Sequence, residues 1–294
     1  MPSLRHNLSY DFYRHAIEHG QRTALYVDER RWSYAEVAEQ VAGLAGWFKS
    51  RFPAGRASIG VLANRSAEAY IGLLAALWSG NAYVPLNTRL PAPYLLDIIN
   101  RAEVECLVID RHTATRLNEP LFKNQSSLTP VSPLEAFEGP SARPLIDQDI
   151  ISSVPPLNIP IAVCSDQTAY IIFTSGSTGT PKGIAPTVAN VSWFLNATQE
   201  RYQLNENDRF SQFNDLPWDP SVFDIFSAWK VGAASYVVPN RQLFAPAHFI
   251  REHELNVWYS GPVQIHQLKL MNQLKPGSLP SLRLSLFVGE PLLK

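Results

Sequence analysis

Apolar residues recur along this chain with two alternating periods, one typical of helices and the other of strands. Val37, Val41, Leu44 and Phe48 follow helical spacing and predict one amphipathic helix. Short apolar runs between such segments have the length of buried strands. Helices are predicted over residues 7–19, 35–48, 67–77, 94–101, 188–201, 222–230 and 245–253. Strands are predicted over 24–27 and 32–34, which form a hairpin, and over 57–62, 83–86, 106–109, 170–173, 209–213, 234–238, 257–259 and 284–288. This alternation predicts an α/β fold in which helices pack on mostly parallel sheets.

Prolines interrupt this rhythm between residues 113 and 160. The eight prolines of the stretch are accompanied by scattered Asn, Ser and Asp. We interpret it as an irregular surface connection. It divides the chain into two predicted α/β subdomains, residues 1–160, which include the Pro-rich connection, and residues 161–294.

Composition excludes little beyond strongly charged partners. The chain has 294 residues, of which 46% are hydrophobic and 17% charged, and its formal net charge is −1. This near-neutral charge gives no electrostatic reason to expect binding to nucleic acid or to an anionic membrane. Cys106 and Cys164 lie in apolar runs without metal-ligand spacing, so free thiols in a reducing cytoplasm are expected. The chain begins without a signal-peptide pattern, and the apolar run 70–78 is too short to span a bilayer.

The most informative segment is residues 170–183, Tyr-Ile-Ile-Phe-Thr-Ser-Gly-Ser-Thr-Gly-Thr-Pro-Lys-Gly. An apolar strand leads here into hydroxyl residues, glycines and Lys182. Binding a triphosphate needs converging backbone N–H groups, hydroxyls and a cation, and glycine lets the backbone approach the phosphates. The pattern differs from a Walker A loop, because Pro181 precedes the lysine and Gly183 follows it. The alternative is a polar linker that binds no ligand.

Residues 174–183 resemble the phosphate loop of the AMP-forming acyl-adenylating (ANL) superfamily. This superfamily includes acyl-CoA synthetases, luciferases and the amino acid adenylation domains of nonribosomal peptide synthetases. Residues 32–37, Trp-Ser-Tyr-Ala-Glu-Val, resemble a second family motif, and residues 77–86, Leu-Trp-Ser-Gly-Asn-Ala-Tyr-Val-Pro-Leu, resemble a third in its amino-acid-activating version. The resemblance extends from about residue 25 to residue 294. It implies the layered α/β core of the N-terminal domain of adenylate-forming enzymes.

The resemblance also implies a site for Mg-ATP. Thr174 and Lys182 would be the catalytic residues, gripping the β- and γ-phosphates. The nucleotide-binding residues would be Thr174, Ser175, Gly176, Ser177, Thr178, Gly179, Lys182, Gly289, Glu290 and Pro291, the last three lying against the adenine. A plain turn is the alternative for residues 289–291. No residue of the chain is expected to bind the metal directly.

Asp219 is the second candidate for chemistry, within the segment Pro-Trp-Asp-Pro-Ser-Val-Phe-Asp of residues 217–224. Its position before Pro220 favours a helix N-cap, in which the carboxylate accepts bonds from backbone N–H groups. In the amino-acid-activating relatives, the matching aspartate pairs with the α-ammonium group of the substrate. Because either charge alone is costly to bury, such a pairing is physically reasonable. The resemblance therefore implies that Asp219 binds an amino acid or a close amine analogue.

Four further residues match positions that line the side-chain pocket in this family. They are Phe223, Ser260, Leu286 and Val288. Three of them are bulky and apolar, which implies a small to medium, uncharged substrate side chain. Ordinary core packing is the alternative for each apolar residue.

Several family motifs are expected beyond residue 294. They include a segment whose Thr and Glu handle phosphate and magnesium, a segment whose Asp binds the ribose, and the mobile C-terminal lid with its lysine. The lid subdomain is therefore expected to be absent, and the chain is expected to be an N-terminal core fragment with little turnover of its own. A histidine of the family is matched here by Val188.

The resemblance thus implies the core of an enzyme that makes aminoacyl-AMP and pyrophosphate. The aminoacyl group would then load the phosphopantetheine thiol of a peptidyl carrier protein. An MbtH-like protein or a separate C-terminal piece are further candidate partners. The alternatives are a non-catalytic module that binds a nucleotide or a partner, and an acyl- or aryl-CoA ligase core, against which Asp219 argues.

Overall fold

The structure is a computed structural model that describes residues 1–123, 127–137, 144–175 and 181–291. In chain order its strands are β1 (Thr23–Val27), β2 (Arg30–Ser33), β3 (Ser58–Leu62), β4 (Ala82–Pro85), β5 (Val104–Ile109), β6 (Thr129–Val131), β7 (Ile172–Ser175), β8 (Pro181–Ile184), β9 (Arg209–Gln212), β10 (Ala234–Val237), β11 (Val257–Ser260) and β12 (Leu284–Phe287). The helices are α1 (Tyr10–Glu18), α2 (Tyr34–Arg51), α3 (Ala67–Trp78), α4 (Ala92–Arg101), α5 (Arg111–Ala114), α6 (Pro120–Lys123), α7 (Gln148–Ser152), α8 (Val188–Tyr202), α9 (Pro220–Val222), α10 (Ala228–Lys230), α11 (Ala247–Glu252) and α12 (Pro262–Leu270).

The described strands form two sheets and a separate hairpin. The larger sheet has the order β12-β11-β9-β10-β1-β2, and all its neighbours are parallel except β1 and β2. The smaller sheet, β4-β3-β5-β6, is parallel throughout. Strands β7 and β8 pair antiparallel. The prediction of helices on mostly parallel sheets is confirmed.

The sheets do not follow the predicted boundary at residue 160, which stays a prediction. Strands β1 and β2 come from the first half of the chain, and β1 pairs with β10 of the second half. The indole Nε1 of Trp229 donates to Ala24 O (3.0 Å), and the Tyr34 hydroxyl donates to Ala233 O (2.7 Å). One hydrophobic core therefore contains residues from both halves.

The described part of residues 113–160 contains more regular secondary structure than the sequence predicts. The described part of this stretch forms β6, α6 and α7, and residues 155–157 pack on α2. Leu157 N–H donates to Ala42 O (2.9 Å), and Leu157 O accepts from Trp78 Nε1 (2.7 Å). The proline-rich chain therefore covers two helices of the core.

Helix α12 was missed by the analysis of periodicity. Its apolar residues do not form one stripe, because Leu268 is buried while Val263 and Leu270 are exposed. Another difference concerns residues 220–230, where a π-helical turn over Phe223–Ser227 lies between α9 and α10. Such turns are rare and often occur at functional sites. No helix in the described ranges is long and apolar enough to cross a membrane.

Candidate active site

The predicted phosphate loop begins in β7 and ends in β8, and these two strands pair antiparallel. Thr174 lies directly opposite Lys182 in the antiparallel ladder, and Ser175 lies opposite Pro181. Opposed residues present their side chains on the same face, so Thr174 and Lys182 share one face of the hairpin. Both are exposed, and the Thr174 hydroxyl donates to Lys182 O at 3.5 Å. The predicted phosphate-binding residues Gly176, Ser177, Thr178 and Gly179 lie outside the described residues.

The base of the hairpin is fixed to the smaller sheet. Ile171 N–H donates to Tyr83 O (3.0 Å), and the rings of Tyr83 and Tyr170 lie 5.5 Å apart. Gly183 packs on the same base, because a Cβ at this position would lie 3.0 Å from Phe173 Cζ. The glycine of the Pro-Lys-Gly motif therefore allows close packing below the loop, in addition to any role toward a ligand.

Asp219 is the N-cap residue of α9 by position, as the sequence predicts, but the predicted capping bonds of its carboxylate are not formed. Its backbone is already helical (φ −55°, ψ −31°), whereas a capping residue is typically extended, and its side chain accepts no capping bond. The residue is exposed. Within the part of the chain that the structure describes, its carboxylate has no hydrogen bond or ion pair. The carboxylate is therefore available to a ligand.

The charge of Asp219 affects the pKa of two tyrosines. Burial raises the pKa of Tyr170 to about 12, and the negative charge of Asp219 adds to this effect. Burial also raises the pKa of Tyr259, with further contributions from the charges of Asp224 and Asp219. Asp219 is therefore near enough to Tyr170, which precedes β7, and to Tyr259 of β11 for its charge to raise the pKa of both hydroxyls.

The four predicted pocket residues come together near the ends of β11 and β12. Ser260 is fully buried at the end of β11, and its carbonyl accepts from Val288 N–H (3.2 Å). Leu286 lies opposite Tyr259 in the parallel register of these strands. The ring of Phe223 lies 5.4 Å from that of Tyr259. Phe223 and Leu286 thus meet at Tyr259, whereas the Ser260 side chain lies on the opposite face of the sheet and Val288 is 41% exposed.

Phe223 is a buried core residue and does not line an open pocket. It is 2% exposed, and its ring also lies 5.9 Å from Phe210. Phe223 therefore packs in the core, as the core-packing alternative predicts. Phe223 would therefore limit the depth of a substrate pocket only indirectly, by supporting the neighbouring ring of Tyr259.

The predicted adenine turn follows β12 directly. Gly289 has φ +97°, a backbone conformation that residues with a Cβ rarely adopt. Glu290 and Pro291 are exposed. This turn is therefore accessible to a ligand, and the plain-turn alternative has the same backbone.

A family model for AMP-binding enzymes matches residues 12–294. The chain belongs to the AMP-binding enzyme family. The L-proline--L-prolyl-carrier protein ligase of Pseudomonas fluorescens is 34% identical over 232 residues, covering 78% of this chain and 45% of that protein. The dimodular nonribosomal peptide synthase of Bacillus subtilis is 27% identical over 96% of this chain and 11% of its own. Among solved structures, the Vibrio cholerae adenylation domain AlmE in complex with glycyl-adenosine-5'-phosphate has a TM-score of 0.85 at 27% identity, covering 99% of this chain and 55% of that chain.

This chain of the AMP-binding family spans about half the length of the curated ligases that it matches. The similarity to nonribosomal peptide synthetases and carrier-protein ligases confirms the resemblance drawn from the motifs. No group of three or more His, Cys, Asp or Glu side chains that would hold a metal occurs in the described ranges. No protein site for Mg²⁺ is therefore assigned among these residues.

Two buried charged residues beside the site were missed in the sequence. Asp224 is 1% exposed, and burial raises its pKa to about 7, although hydrogen bonds from residues 213 and 214 lower it. Arg65 is 7% exposed and bonds to Asp215. A signal existed for Asp224, which is an acidic residue within the apolar run Val222–Phe226. Nothing around Arg65 in the sequence indicates its partners, because they are about 150 residues away.

Arg65 also lines a large cavity. Its volume is about 700 Å³, and it lies at the carboxyl ends of β1 and β10, with Tyr26, Phe249 and His253 in its lining. None of the predicted site residues lines it.

Proposed function

We propose that this chain is the N-terminal core part of an amino acid adenylation enzyme. The enzyme would join a small or medium, uncharged amino acid to the AMP part of ATP and release pyrophosphate. The aminoacyl group would then pass to the phosphopantetheine thiol of a carrier protein. Since the chain spans about half the length of its curated relatives, the C-terminal part of such an enzyme would be supplied by further sequence or by a separate piece.

The observation that carries this proposal is the free carboxylate of Asp219. It has no capping bond, it is exposed, and its charge contributes to the raised pKa of Tyr170, before β7, and of Tyr259 in β11. An α-ammonium group placed there would form a charge-assisted hydrogen bond with the carboxylate, and such bonds are roughly twice as strong as neutral ones. A plain carboxylic acid substrate would leave this carboxylate without a partner, which argues against an acyl- or aryl-CoA ligase.

The proposed reaction has two displacements. A carboxylate oxygen of the amino acid forms a bond to the α-phosphorus of ATP, and the α–β P–O bond breaks, so that pyrophosphate leaves with its electrons. The carrier thiolate then forms a bond to the acyl carbon, and AMP leaves. Thr174, Lys182 and the loop between them would hold the β- and γ-phosphates of ATP, and residues 289–291 would contact its adenine. Fixing both reactants in line is the main contribution that such a site makes.

The residues around Tyr259 support a small or medium substrate side chain. Phe223 fills the space behind Tyr259, and Leu286 lies on the neighbouring strand. The only polar pocket candidate, Ser260, is fully buried, and its hydroxyl donates to Gly261 O at 3.3 Å. No charged side chain is present among these four positions to match a charged substrate. The names of the relatives, which include L-proline and D-alanine carrier-protein ligases, agree with this size range.

The test is amino-acid-dependent exchange of pyrophosphate into ATP. The common amino acids are assayed with this chain alone and with a version extended to the stop codon of its gene. We expect exchange with one or a few small or medium amino acids in the extended form. Silence of both forms with every amino acid would overturn the proposal and favour a non-catalytic nucleotide- or partner-binding module.

Asp219→Ala is the variant that tests the role of the carboxylate. We expect kcat/KM for the amino acid to fall about 10²-fold, because bonds to charged groups contribute roughly 1.5–3 kcal/mol. Asp166→Ala is the matched control, since Asp166 is also exposed but lies before β7. Equal exchange by the parent and Asp219→Ala would show that Asp219 does not bind the α-ammonium group.

A further inference from the structure

The chain between β9 and α9 is held from two sides before it reaches Asp219. We call residues 213–219 the substrate segment. One side of this segment is fixed by Arg65, which follows β3 in the smaller sheet. The other side is fixed by Asp224, which lies in the π-helical turn.

Arg65 binds the start of the substrate segment with its whole guanidinium group. Its Nη2 donates to Asp215 Oδ1 (2.7 Å) and to Phe213 O (2.5 Å), and its Nε also donates to Asp215 Oδ1 (3.1 Å). Its Nη1 donates to Gln212 O (3.2 Å) and Val238 O (2.8 Å) at the ends of β9 and β10. One buried side chain thus ties the smaller sheet to the carboxyl edge of the larger sheet.

Two further features show that this arrangement is specific. Arg65 has φ +56°, a conformation that costs free energy in a residue with a Cβ and persists only when the surroundings hold it. Asp215 is also bound on its other oxygen, because Arg89 Nη2 donates to Asp215 Oδ2 at 2.8 Å. The position of Asp215 is therefore determined by two cations.

Asp224 binds the same segment from the opposite side. Its Oδ2 accepts from Phe213 N–H (3.1 Å), Asn214 N–H (3.0 Å) and Asn214 Nδ2 (2.9 Å). Asn214 Nδ2 also donates to Tyr259 O (3.1 Å), next to Ser260 in β11. Asn214 therefore connects the segment to the strand that carries the candidate pocket.

The fixed residues are linked to Asp219 by a tight turn. Trp218 N–H donates to Asp215 O (2.9 Å), and the Ser221 hydroxyl donates to Leu216 O (3.1 Å). The turn therefore leaves little freedom between Asp215 and the first turn of α9. A displacement of Asp215 would be passed on to the Asp219 carboxylate.

We propose that Asp215 and Asn214 are positioning residues that act through Asp219. They set how strongly the site prefers an α-amino acid to the same acid without its amino group. This inference rests on the proposed function, in which Asp219 binds the α-ammonium group. Its distinguishing feature is selectivity, because a residue needed only for folding would weaken the binding of both acids equally.

The chain offers a matched control at the other end of β9. Asp208 is 2% exposed, and both of its carboxylate oxygens accept from the guanidinium of Arg283. Asp208→Asn and Asp215→Asn therefore each remove the charge of an aspartate that is paired with an arginine. Of these two aspartates, only Asp215 lies in the substrate segment.

The experiment measures binding of two non-hydrolysable adenylate mimics to the full chain by calorimetry. The acyl group is chosen by the exchange assay. For alanine the probes are L-alanyl sulfamoyl adenosine and propionyl sulfamoyl adenosine, which differ by the amino group alone. We expect the parent chain to bind the alanyl probe more tightly. Asp215→Asn should reduce this preference about tenfold, since small displacements in a positioned site have effects of this size or larger. Asn214→Ala should act in the same direction, and Asp208→Asn should leave the preference within about twofold of the parent, even if its melting temperature falls.

The results distinguish failure of the positioning role from failure of the proposed function. An equal loss of both probes in Asp215→Asn, or an equal change of preference in Asp208→Asn, would overturn the positioning role while leaving the proposed function intact. A parent chain without any preference for the alanyl probe would instead contradict the proposed function itself. If Asp215→Asn does not fold, Arg89→Ala is the replacement, because it removes only the exposed partner of Asp215. That variant should reduce the preference in the same direction by about two- to threefold, and an unchanged preference would count against the inference.

Discussion

Two aspartates in the same helical region, Asp219 and Asp224, lie in opposite surroundings. Asp219 is exposed and has no partner in the described part of the chain, whereas Asp224 is 1% exposed. One oxygen of Asp224 accepts three hydrogen bonds, and Oδ1 is buried without a partner. Because burial disfavours the charged form, the pKa of Asp224 rises to about 7. The first carboxylate is thus suited to a ligand and the second to fixing the backbone.

The stability of the protein should depend on the ionisation of Asp224. Its pKa is raised in the folded state, so its full contribution to stability is present below about pH 4 and is lost as the pH rises through about 7. Asp224→Asn keeps an acceptor oxygen but cannot ionise. We expect the variant to gain on the order of a few kcal/mol in the free energy of unfolding, relative to the parent, between pH 4 and pH 8.

Urea denaturation at these two pH values measures the difference. Asp149→Asn is the control, because it removes the charge of an aspartate that is exposed in α7. His15 and His253, whose pKa values are lowered by burial, act in the opposite direction but are common to parent and variant. Parallel stability profiles for the parent and Asp224→Asn would contradict this prediction.

For individual residues, the sequence predicts a role where the residue belongs to a short local motif. Neighbours within ten residues predict roles for Lys182 and Asp219, and these roles stay predictions. Arg65 and Asn214 were not, because their roles depend on partners from other strands, such as Val238 O and Tyr259 O. Asp219 is the N-cap residue of α9, but its carboxylate forms no capping bond because its backbone is already helical.

Elements with regular apolar spacing were predicted well. Helix α2 is an example, since its stripe matches the pattern and Ser33 and Glu36 form a capping box at its start. Helix α12 and strand β8 were missed, because α12 lacks a continuous apolar face and β8 begins with proline and contains glycine. These two elements are stabilised by contacts with their neighbours more than by local preference.

Two glycines of α2 should respond differently to alanine. A Cβ on Gly46 would lie 2.3 Å from Pro155 O, whereas a Cβ on Gly43 would lie 3.7 Å from Ile151 Cγ2, an ordinary contact. Gly46→Ala must displace the proline-rich segment and should cost about 1–3 kcal/mol of stability. Gly43→Ala should be neutral or stabilising by up to roughly 1 kcal/mol, because alanine favours the helix. Chemical denaturation of both variants tests this, and equal effects would show that residues 155–157 do not pack on α2 as described.

The larger sheet joins the two halves of the molecule. Strand β1 adds to β10, and Phe12 of α1 lies against Trp229, with ring centroids 5.1 Å apart. The order of elements along the chain predicted parallel sheets, but it did not indicate that the first hairpin belongs to the sheet of the second half. Such long-range pairing depends on which apolar faces fit together, and the pattern of a single strand does not contain that information.

This topology makes a prediction about dividing the chain at residue 160. Expressed alone, residues 161–294 would lose β1 and β2, so the edge of β10 would be unpaired and Trp229 would lose its bond to Ala24 O. Unpaired edges and exposed aromatic rings favour association over folding. We therefore expect neither piece to show a cooperative thermal transition by circular dichroism, and co-expression of the two to restore one. Size-exclusion chromatography of the co-expressed pieces should give a one-to-one complex. The tryptophan fluorescence spectrum of this complex should match that of the intact chain. A cooperative transition of residues 161–294 alone would instead establish residue 160 as a true domain boundary and show that β1 and β2 are dispensable for the sheet that carries the candidate site.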